Sequence, residues 1–463
     1  MTERGQHRMW HFWIDRGGTF TDIVARAPDG SLHTAKILSH DTAHRQDAGV
    51  RGMRGLLGLD AHAPFPADRV AAIRMGTTVA TNALLERRGA PTVLAITKGF
   101  ADALAIATQH RPELFALAVR LPPPLYATVV EIDERLRADG TVEKPLDEEQ
   151  AHAALAQAYA QGLRAVAIVL MHGYRFRDHE KRVAAIARDA GFTQVATSHD
   201  SDPLMKIVPR GHTTVADAYL TPVLRRYVAD MHAAVANAPL YFMQSSGGLA
   251  RADAFAGKDA VLSGPAGGVI GAVAVAGAAG FDKLIGFDMG GTSTDVMHYA
   301  GTLERAEQTD IAGTRLRVPM LAIHTVAAGG GSVLGLEGAR MHVGPESAGA
   351  VPGPASYGRG GPLAVTDCHV VLGRLNPAFF PRVFGAGGDA PLDAAAAQAA
   401  FAARCQAIKA ATGQDLSVEA VAEGYLDIAV ELMARAIKTI SIERGHDIRG
   451  HVLVSFGGAG GQL

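Results

Sequence analysis

Cysteine is almost absent: two residues, Cys368 and Cys405, in a chain of 463. Two thiols cannot build a disulfide framework, and their scarcity fits a reducing, cytoplasmic compartment. Net charge is nearly absent too. Lys and Arg total 44, Asp and Glu total 46, and the balance is −2. That balance gives no electrostatic case for a nucleic-acid binder. Aromatic residues make up only 6%. Met1–Asp15 has no apolar core and does not read as a signal peptide. One charge-free stretch, Ala260–Phe281, has the length of a membrane span. It is mostly Ala and Gly and carries Pro265, so it reads as a turn feeding a buried small-residue helix. No membrane association is expected.

Apolar residues are plentiful at 48%, against 19% charged, enough for a sizeable core and too many for general disorder. The chain length suits two or three domains. Strands are predicted at Trp10–Ile14, Ile73–Met75, Thr92–Ile96, Ala165–Leu170, Leu284–Asp288 and His451–Phe456. Helices are predicted at Leu146–Gln161, Asp178–Ala190, Val208–Ala236 and Val418–Ile440. Strands alternating with helices of this length argue for an α/β fold. A soft boundary near Gly191–Pro203 divides the chain into 1–197 and 198–463. Gly344–Pro362 is rich in Gly and Pro and reads as a long ordered loop serving a site.

The most informative feature is a repeat. Asp15-Arg16-Gly17-Gly18-Thr19-Phe20-Thr21-Asp22-Ile23 and Asp288-Met289-Gly290-Gly291-Thr292-Ser293-Thr294-Asp295-Val296 share the pattern D-x-G-G-T-x-T-D-[IV]. An apolar strand enters each. Two ordinary hairpins with Gly-Gly turns would explain the glycines. They would not explain the flanking acids or the repeated threonines. Phosphate-binding hairpins explain all three. Glycines let backbone N–H groups crowd an anion, and hydroxyls add donors. The leading acids, Asp15 and Asp288, can hold Mg²⁺ through water or position an attacking oxygen. Asp22 and Asp295 brace the hairpins or reach the metal through water. A third glycine cluster, Gly457-Gly458-Ala459-Gly460-Gly461, follows the strand ending at Phe456. Another, Ala327–Ser332, is either a tight turn or a ligand-facing loop.

This order of motifs resembles the actin-like ATPase and sugar-kinase superfamily. The resemblance implies two duplicated, ribonuclease H-like lobes around a nucleotide cleft. It makes Asp15–Asp22 the first phosphate motif, Asp288–Asp295 the second and Phe456–Gly461 the adenosine loop. The implied cofactors are ATP and Mg²⁺. Gly17, Gly18, Thr19, Thr21, Gly290, Gly291, Thr292 and Ser293 would line the phosphates, and Gly457, Gly458 and Gly460 would approach the adenosine.

Longer runs narrow the resemblance. Ile14–Val24, Met75–Arg87, Gln244–Gly248, Ser263–Gly268, Gly286–Val296, His324–Ser332, Gly344–Asp367 and Glu443–Asp447 are similar to the hydantoinase/oxoprolinase family, A-type. Arg16 and the segment Gln109–Phe115 look most like 5-oxoprolinases. The family implies ATP-dependent phosphorylation of a lactam or cyclic-ureide oxygen, with ring opening completed by a B-type subunit or second half. A ketone carboxylase subunit and a truncated, non-catalytic ATP-binding module are the competing readings. Relatives continue past the adenosine loop, so the A-type core is expected to be incomplete after Leu463. An oligomer is expected.

The remaining candidates read as structural. His324, His342 and His369 could meet in space but read as structural histidines. Cys368-His369 stands where relatives more often carry Ala-Asn. Neither cysteine carries a catalytic motif. Asp133-Glu134 and Asp147-Glu148-Glu149 read as solvated faces or helix-start charges. Lys206 and Arg210 read as surface residues. Thr77-Thr78 and Thr81-Asn82 are helix caps or line a substrate.

Overall fold

From Phe12 onward the strand Trp10–Arg16 alternates, with Phe12 and Ile14 buried and Trp13 and Asp15 open. That period of two makes it a strand with one face on a core. It runs into the tight turn at Gly17 and returns as Phe20–Arg26, pairing antiparallel with Asp15 opposite Asp22. A computed structural model of the chain describes residues 9–17, 20–39, 46–60, 62–108, 115–118, 120–311 and 313–463. Gly18, Thr19 and Gln109–Leu114, singled out above, lie outside the described residues.

The chain divides into two compact units. One comprises residues 1–267 with 305–321, the other 268–304 with 322–463. The position 197/198 falls inside the first unit. The architecture is mixed α/β.

Among the described residues, the first unit holds two larger sheets, beside three two-stranded ones. In the larger, the strands run Leu249–Arg251, Leu240–Met243, Val70–Thr77, Trp10–Arg16, Phe20–Arg26 and Leu32–Leu38. Val70–Thr77 is parallel to Trp10–Arg16, so Gly76 lies beside Asp15. The second sheet is parallel throughout, in the order Gln194–Thr197, Ala165–Val169, Thr92–Thr97 and Tyr126–Ile132. Its two central strands are buried along their whole length. They read as continuous β-rich runs because both faces are covered. Val93, Ala95, Val166 and Ile168 meet the helices Glu148–Ala160 and Asp178–Asp189 through Leu155 and Val183. Leu94, Ile96, Ala167 and Val169 face the long helix Ile207–Ala234 through Val215 and Ala218.

The second unit repeats the first hairpin's surroundings. Its sheet runs His324–Val326, Thr294–Ala300, Lys283–Met289 and Val452–Phe456. Both units therefore share one order: a third antiparallel strand, the two hairpin strands, then a parallel strand beside the first. Helix Val418–Ile440 covers the second sheet. Ser417 caps it, accepting from the Ala420 N–H at 3.1 Å. Its buried stripe Val421, Tyr425, Ala429, Met433, Ala436 and Ile440 follows the helical period and packs with Ile285, Phe287 and Met289.

Most predicted elements fall within two residues of their observed bounds. The small-residue helix is present as Ser263–Ala278, but it is not buried as expected: only about every third residue is, and Val275 is 67% exposed. No helix among the described residues is long and apolar enough to cross a membrane. The expected loop Gly344–Pro362 begins later than predicted, because Gly344–Ser347 close the strand Arg340–Ser347 against Ser332–Glu337.

Candidate active site

In the first unit the hairpin turn is closed by Gly17 N–H donating to Phe20 C=O at 3.1 Å. A methyl on Gly17 would stand 2.9 Å from that oxygen, so the turn needs glycine. Thr21 is fully buried and its hydroxyl lies 2.9 Å from Ser39 Oγ, which donates onward to Gly17 C=O at 2.8 Å. Arg16 is drawn aside. It pairs with Asp47 at 2.9 Å and lies over the Tyr227 ring. Asp22 is exposed and holds Lys36 of the third strand at 2.7 Å.

Asp15 keeps its carboxylate at the strand end, beside glycines. Methyl groups at Gly76 and Gly264 would stand 3.3 and 3.8 Å from its Oδ1. Its tip meets solvent but is set among protein atoms. That crowding pushes the carboxyl above its usual range; Asp22 adds to the rise and Lys36 opposes it. A cation at this oxygen would reverse the balance.

The second hairpin follows the same plan. Gly290 N–H donates to Ser293 C=O at 2.9 Å. The run at Gly329–Ser332 seats against its tip. Gly330 and Gly331 N–H donate to Gly290 and Gly291 C=O at 3.0 and 2.7 Å, and a methyl on Gly329 would come within 2.6 Å of Gly290 O. Thr294 donates to Ala328 C=O at 2.6 Å. Asp295 accepts from Thr325 Oγ1 on the third strand, while burial pushes its carboxyl upward.

Asp288 is half-buried and meets the third glycine cluster. Gly457 has φ +89°, and a methyl there would stand 2.3 Å from Asp288 Oδ1. A methyl at Gly268 would stand 3.4 Å from Oδ2. Ala459 N–H donates to Met289 C=O at 2.8 Å, and Gly460 packs on the Phe456 backbone. The second unit thus brings Asp288, Gly290–Asp295 and Gly457–Gly460 together. Nothing stands within 4 Å of a methyl position at Gly291 or Gly458, so a ligand has room on that side of each, while Gly291 C=O is already taken by Gly331 N–H.

The sequence reading missed several neighbours of the acids: Gly76, Gly264 and Gly268 border the carboxylates, and Asp47 fixes Arg16. The available signal was glycine at the end of a parallel strand and at a helix start. The Thr77–Asn82 cluster divides its roles. Thr77 Oγ1 accepts from Val79 N–H at 3.3 Å, as a cap would, and Thr81 Oγ1 accepts from Leu262 N–H at 3.0 Å.

Two expectations about charged residues are corrected. Glu134 is buried, not solvated; it accepts from Thr97 and lies 2.7 Å from His179 Nδ1. Arg210 is buried rather than at the surface, donating to Ser198 Oγ and Leu170 C=O at 2.8 Å each. Asp133 does meet solvent, pairing with Lys144 and Lys98.

Asp367 organises the loop after Ser347. Its carboxylate accepts from the Ala355, Ser356 and Ala364 N–H groups at 3.0, 2.8 and 2.8 Å. His369 is buried behind it, and its Nε2 has no hydrogen-bond partner among the described residues. Burial, aided by Arg374, pushes this imidazole down to about 4 from 6.5. The native state therefore holds it neutral. Its contribution is complete above pH 6.5 and is lost as pH falls towards 4, where the unfolded chain alone takes the proton. The loss amounts to about 3 kcal/mol. Urea unfolding at pH 7.5 and 4.5 checks this: wild type should lose more stability on acidification than His369→Asn, by up to that amount. Equal losses would remove the buried neutral histidine as their source.

Comparison with known proteins then decides the family. The Hydantoinase/oxoprolinase pattern matches residues 210–463, and the pattern of the Hydantoinase/oxoprolinase N-terminal region matches 11–191. The chain belongs to the hydantoinase/oxoprolinase family. It is 42% identical to 5-oxoprolinase of Saccharomyces cerevisiae, over 97% of this chain and 38% of that protein. The alpha subunit of caprolactamase from Pseudomonas jessenii is 35% identical, over 98% of this chain and 66% of the subunit. The chain thus spans well under half the length of the 5-oxoprolinases it matches. Among solved structures, the ATP-dependent caprolactamase of Pseudomonas jessenii matches with a TM-score of 0.80 at 32% identity, covering 97% of this chain and 65% of that one. Nucleotide-free acetone carboxylase matches with a TM-score of 0.78 at 27% identity, with the same coverage.

Proposed function

We propose that this family member is the phosphorylating part of an ATP-dependent lactam hydrolase of the 5-oxoprolinase type. The observation that carries the reading is the pair of hairpins. Each sets a carboxylate, Asp15 or Asp288, at the end of a strand in the same sheet order, against glycines whose missing side chains leave it room. The two units are read as duplicated actin-like lobes, with segments 1–197 and 198–463 carrying one phosphate hairpin each.

The residues fit a magnesium nucleotide. Turns closed through glycine, and the room beside Gly291 and Gly458, suit phosphate oxygens and a nucleoside. Asp15 and Asp288 would hold Mg²⁺ through water. When bound, Mg-ATP would supply the phosphoryl group that activates the lactam oxygen, so that water adds to the ring carbon, the C–N bond breaks with nitrogen leaving as the amine, and phosphate departs when the acyl phosphate is hydrolysed. Gly17, Gly290 and Gly291 shape the anion cradle. Asp22 and Asp295 are spent on Lys36 and Thr325, so they brace the hairpins. Catalysis by such a site is largely positioning and charge neutralisation.

A ketone carboxylase is the second reading, favoured by the likeness to acetone carboxylase. The higher identities to 5-oxoprolinases and to the caprolactamase subunit favour a lactam. The proposed partner is a B-type subunit or second half. ADP release from Mg-ATP should be measured with and without 5-oxoproline, on the chain alone and with a B-type partner added. Stimulation by 5-oxoproline in either preparation is expected. Its absence in both, with stimulation by acetone and bicarbonate instead, would overturn the lactam reading.

A further inference from the structure

On the second unit, three histidines and one glutamate converge. They are His298 on the hairpin strand Thr294–Ala300, Glu304 just beyond it, and His446 and His451 in the segment leading to Val452–Phe456. His298 Nδ1 lies 2.5 Å from Glu304 Oε1. His446 Nε2 lies 3.2 Å from the same oxygen. One ligand atom from each of these three residues falls within 4.8 Å of the others. The His298 and His446 rings stack with centroids 4.1 Å apart.

We propose that His298, Glu304 and His446 bind one divalent transition-metal ion of the Zn²⁺ type. Two imidazoles and a carboxylate, with water in a fourth position, form a familiar donor set for this ion. Bonds of about 2.0–2.1 Å set tetrahedral ligand atoms about 3.3 Å apart. His446 Nε2 and Glu304 Oε1, 3.2 Å apart, already match that spacing; His298 Nδ1, at 2.5 Å from the same oxygen, draws back as the ion enters, and one of the two stacked rings turns so that both aim at it. His298 is buried, while Glu304 and His446 are partly open, so ion and water have a way in.

The backbone holds these positions in place. An antiparallel bridge between Tyr299 and Leu303 closes the turn that sets His298 against Glu304. His446 N–H donates to Ser441 C=O at 3.0 Å, and Gly445 takes φ +86° in the turn before it. The surrounding groups are placed as outer partners. His298 Nε2 lies 3.0 Å from His451 Nε2, so His298 can donate there while Nδ1 faces the ion. Arg444 contacts the other oxygen of Glu304, Oε2, at 3.4 Å. Outer groups of this kind fix the tautomer and orientation of metal ligands. As a ligand His298 is the neutral imidazole: its one proton sits on Nε2 towards His451, and the ion replaces the Nδ1–Glu304 hydrogen bond.

The ion would act as a clip. It would fasten the segment before Val452–Phe456 to the hairpin strand. That segment leads directly to Gly457, which sits against Asp288. This role is separate from Mg²⁺ and ATP, and it survives failure of the lactam reading.

The test is calorimetric titration of the chelator-treated chain with Zn²⁺, paired with thermal unfolding in the presence and absence of Zn²⁺. One site per chain and a raised unfolding temperature are expected. Glu304→Gln and His446→Asn should each weaken Zn²⁺ binding at least about 100-fold and abolish the thermal gain. His451→Gln, a positioning change, should weaken binding by about 10–100-fold. Co²⁺ in place of Zn²⁺ should give the intense visible absorption of a four-coordinate site in wild type, lost in His446→Asn. His446 is partly exposed, so that variant keeps the test sound if others fold poorly, and far-UV circular dichroism verifies it. Absence of binding in wild type, or binding unchanged in both ligand variants, would overturn the proposal.

Discussion

Asp288→Asn is expected to cut ATP turnover by about 10²–10³-fold, in whichever preparation releases ADP, while leaving the chain folded. Asparagine keeps the shape of the carboxylate but not its charge. The site is built around that shape: Gly457 at φ +89° and Gly268 both leave space that a methyl would take from the two carboxylate oxygens. A fixed charge beside transferring phosphates acts in the transition state, where removal of one preorganised group typically costs that much. Asp15→Asn should have a similar effect through the first hairpin. Asp295→Asn should cost far less, because its carboxylate already accepts from Thr325. Steady-state ADP release, with denaturant unfolding to verify the fold, checks the order. Asp288→Asn turning over at the wild-type rate would remove it from the site. Equal losses at Asp288 and Asp295 would mean that charge in the hairpin generally, rather than the glycine-bordered carboxylate, carries the effect.

The hairpins were legible because their chemistry is local. Nine residues hold the turn glycines, both acids and the hydroxyls, and the second copy repeats them in register. Helices with clear starts were legible for the same reason. Asp147 and Ser417 cap theirs by accepting from Gln150 and Ala420. Helix Ala394–Thr412 was not read, although it carries a cap at Asp393 and a left-handed Gly413. Its run of alanines shows no amphipathic period, since alanine packs on either face. The repeat suggests Asp22 and Asp295 as hairpin braces but does not show what they brace against. Only the third strand, distant in sequence, reveals that Lys36 and Thr325 occupy them. The buried status of Glu134, Glu180 and Arg210 depends on partners tens of residues away. So does the meeting of His298 with His451, 153 residues apart. No pattern of period 2 or 3.6 encodes such a meeting.

Glu180→Ala is expected to destabilise the first unit by about 3–5 kcal/mol. Glu180 is fully buried. One carboxylate oxygen accepts from Leu170 N–H at 2.9 Å and Ser198 Oγ at 2.5 Å. The other accepts from His199 N–H at 3.0 Å and lies 2.6 Å from His199 Nδ1. Ser198 Oγ in turn accepts from Arg210 Nε. One side chain thus ties the helix Asp178–Asp189 to the end of strand Ala165–Val169, to residues 198–199 and to the long helix. Alanine would leave the Leu170 and His199 N–H groups, the Ser198 O–H and His199 Nδ1 without the acceptor each now has. It would also remove one of the two nearby carboxylates, Glu180 and Asp202, that favour the ionised form of buried Arg210. Each orphaned polar group costs about 1–3 kcal/mol, and partial relaxation keeps the total below their sum. Glu180→Gln keeps the shape and one acceptor oxygen, so it should cost less than half as much. The pair separates a volume effect from an electrostatic one: urea unfolding of both variants should rank wild type above Glu180→Gln above Glu180→Ala. Equal midpoints for Glu180→Ala and wild type would show that the network contributes nothing to stability. Equal midpoints for the two variants would show that the charge, not the count of acceptors, holds these elements together.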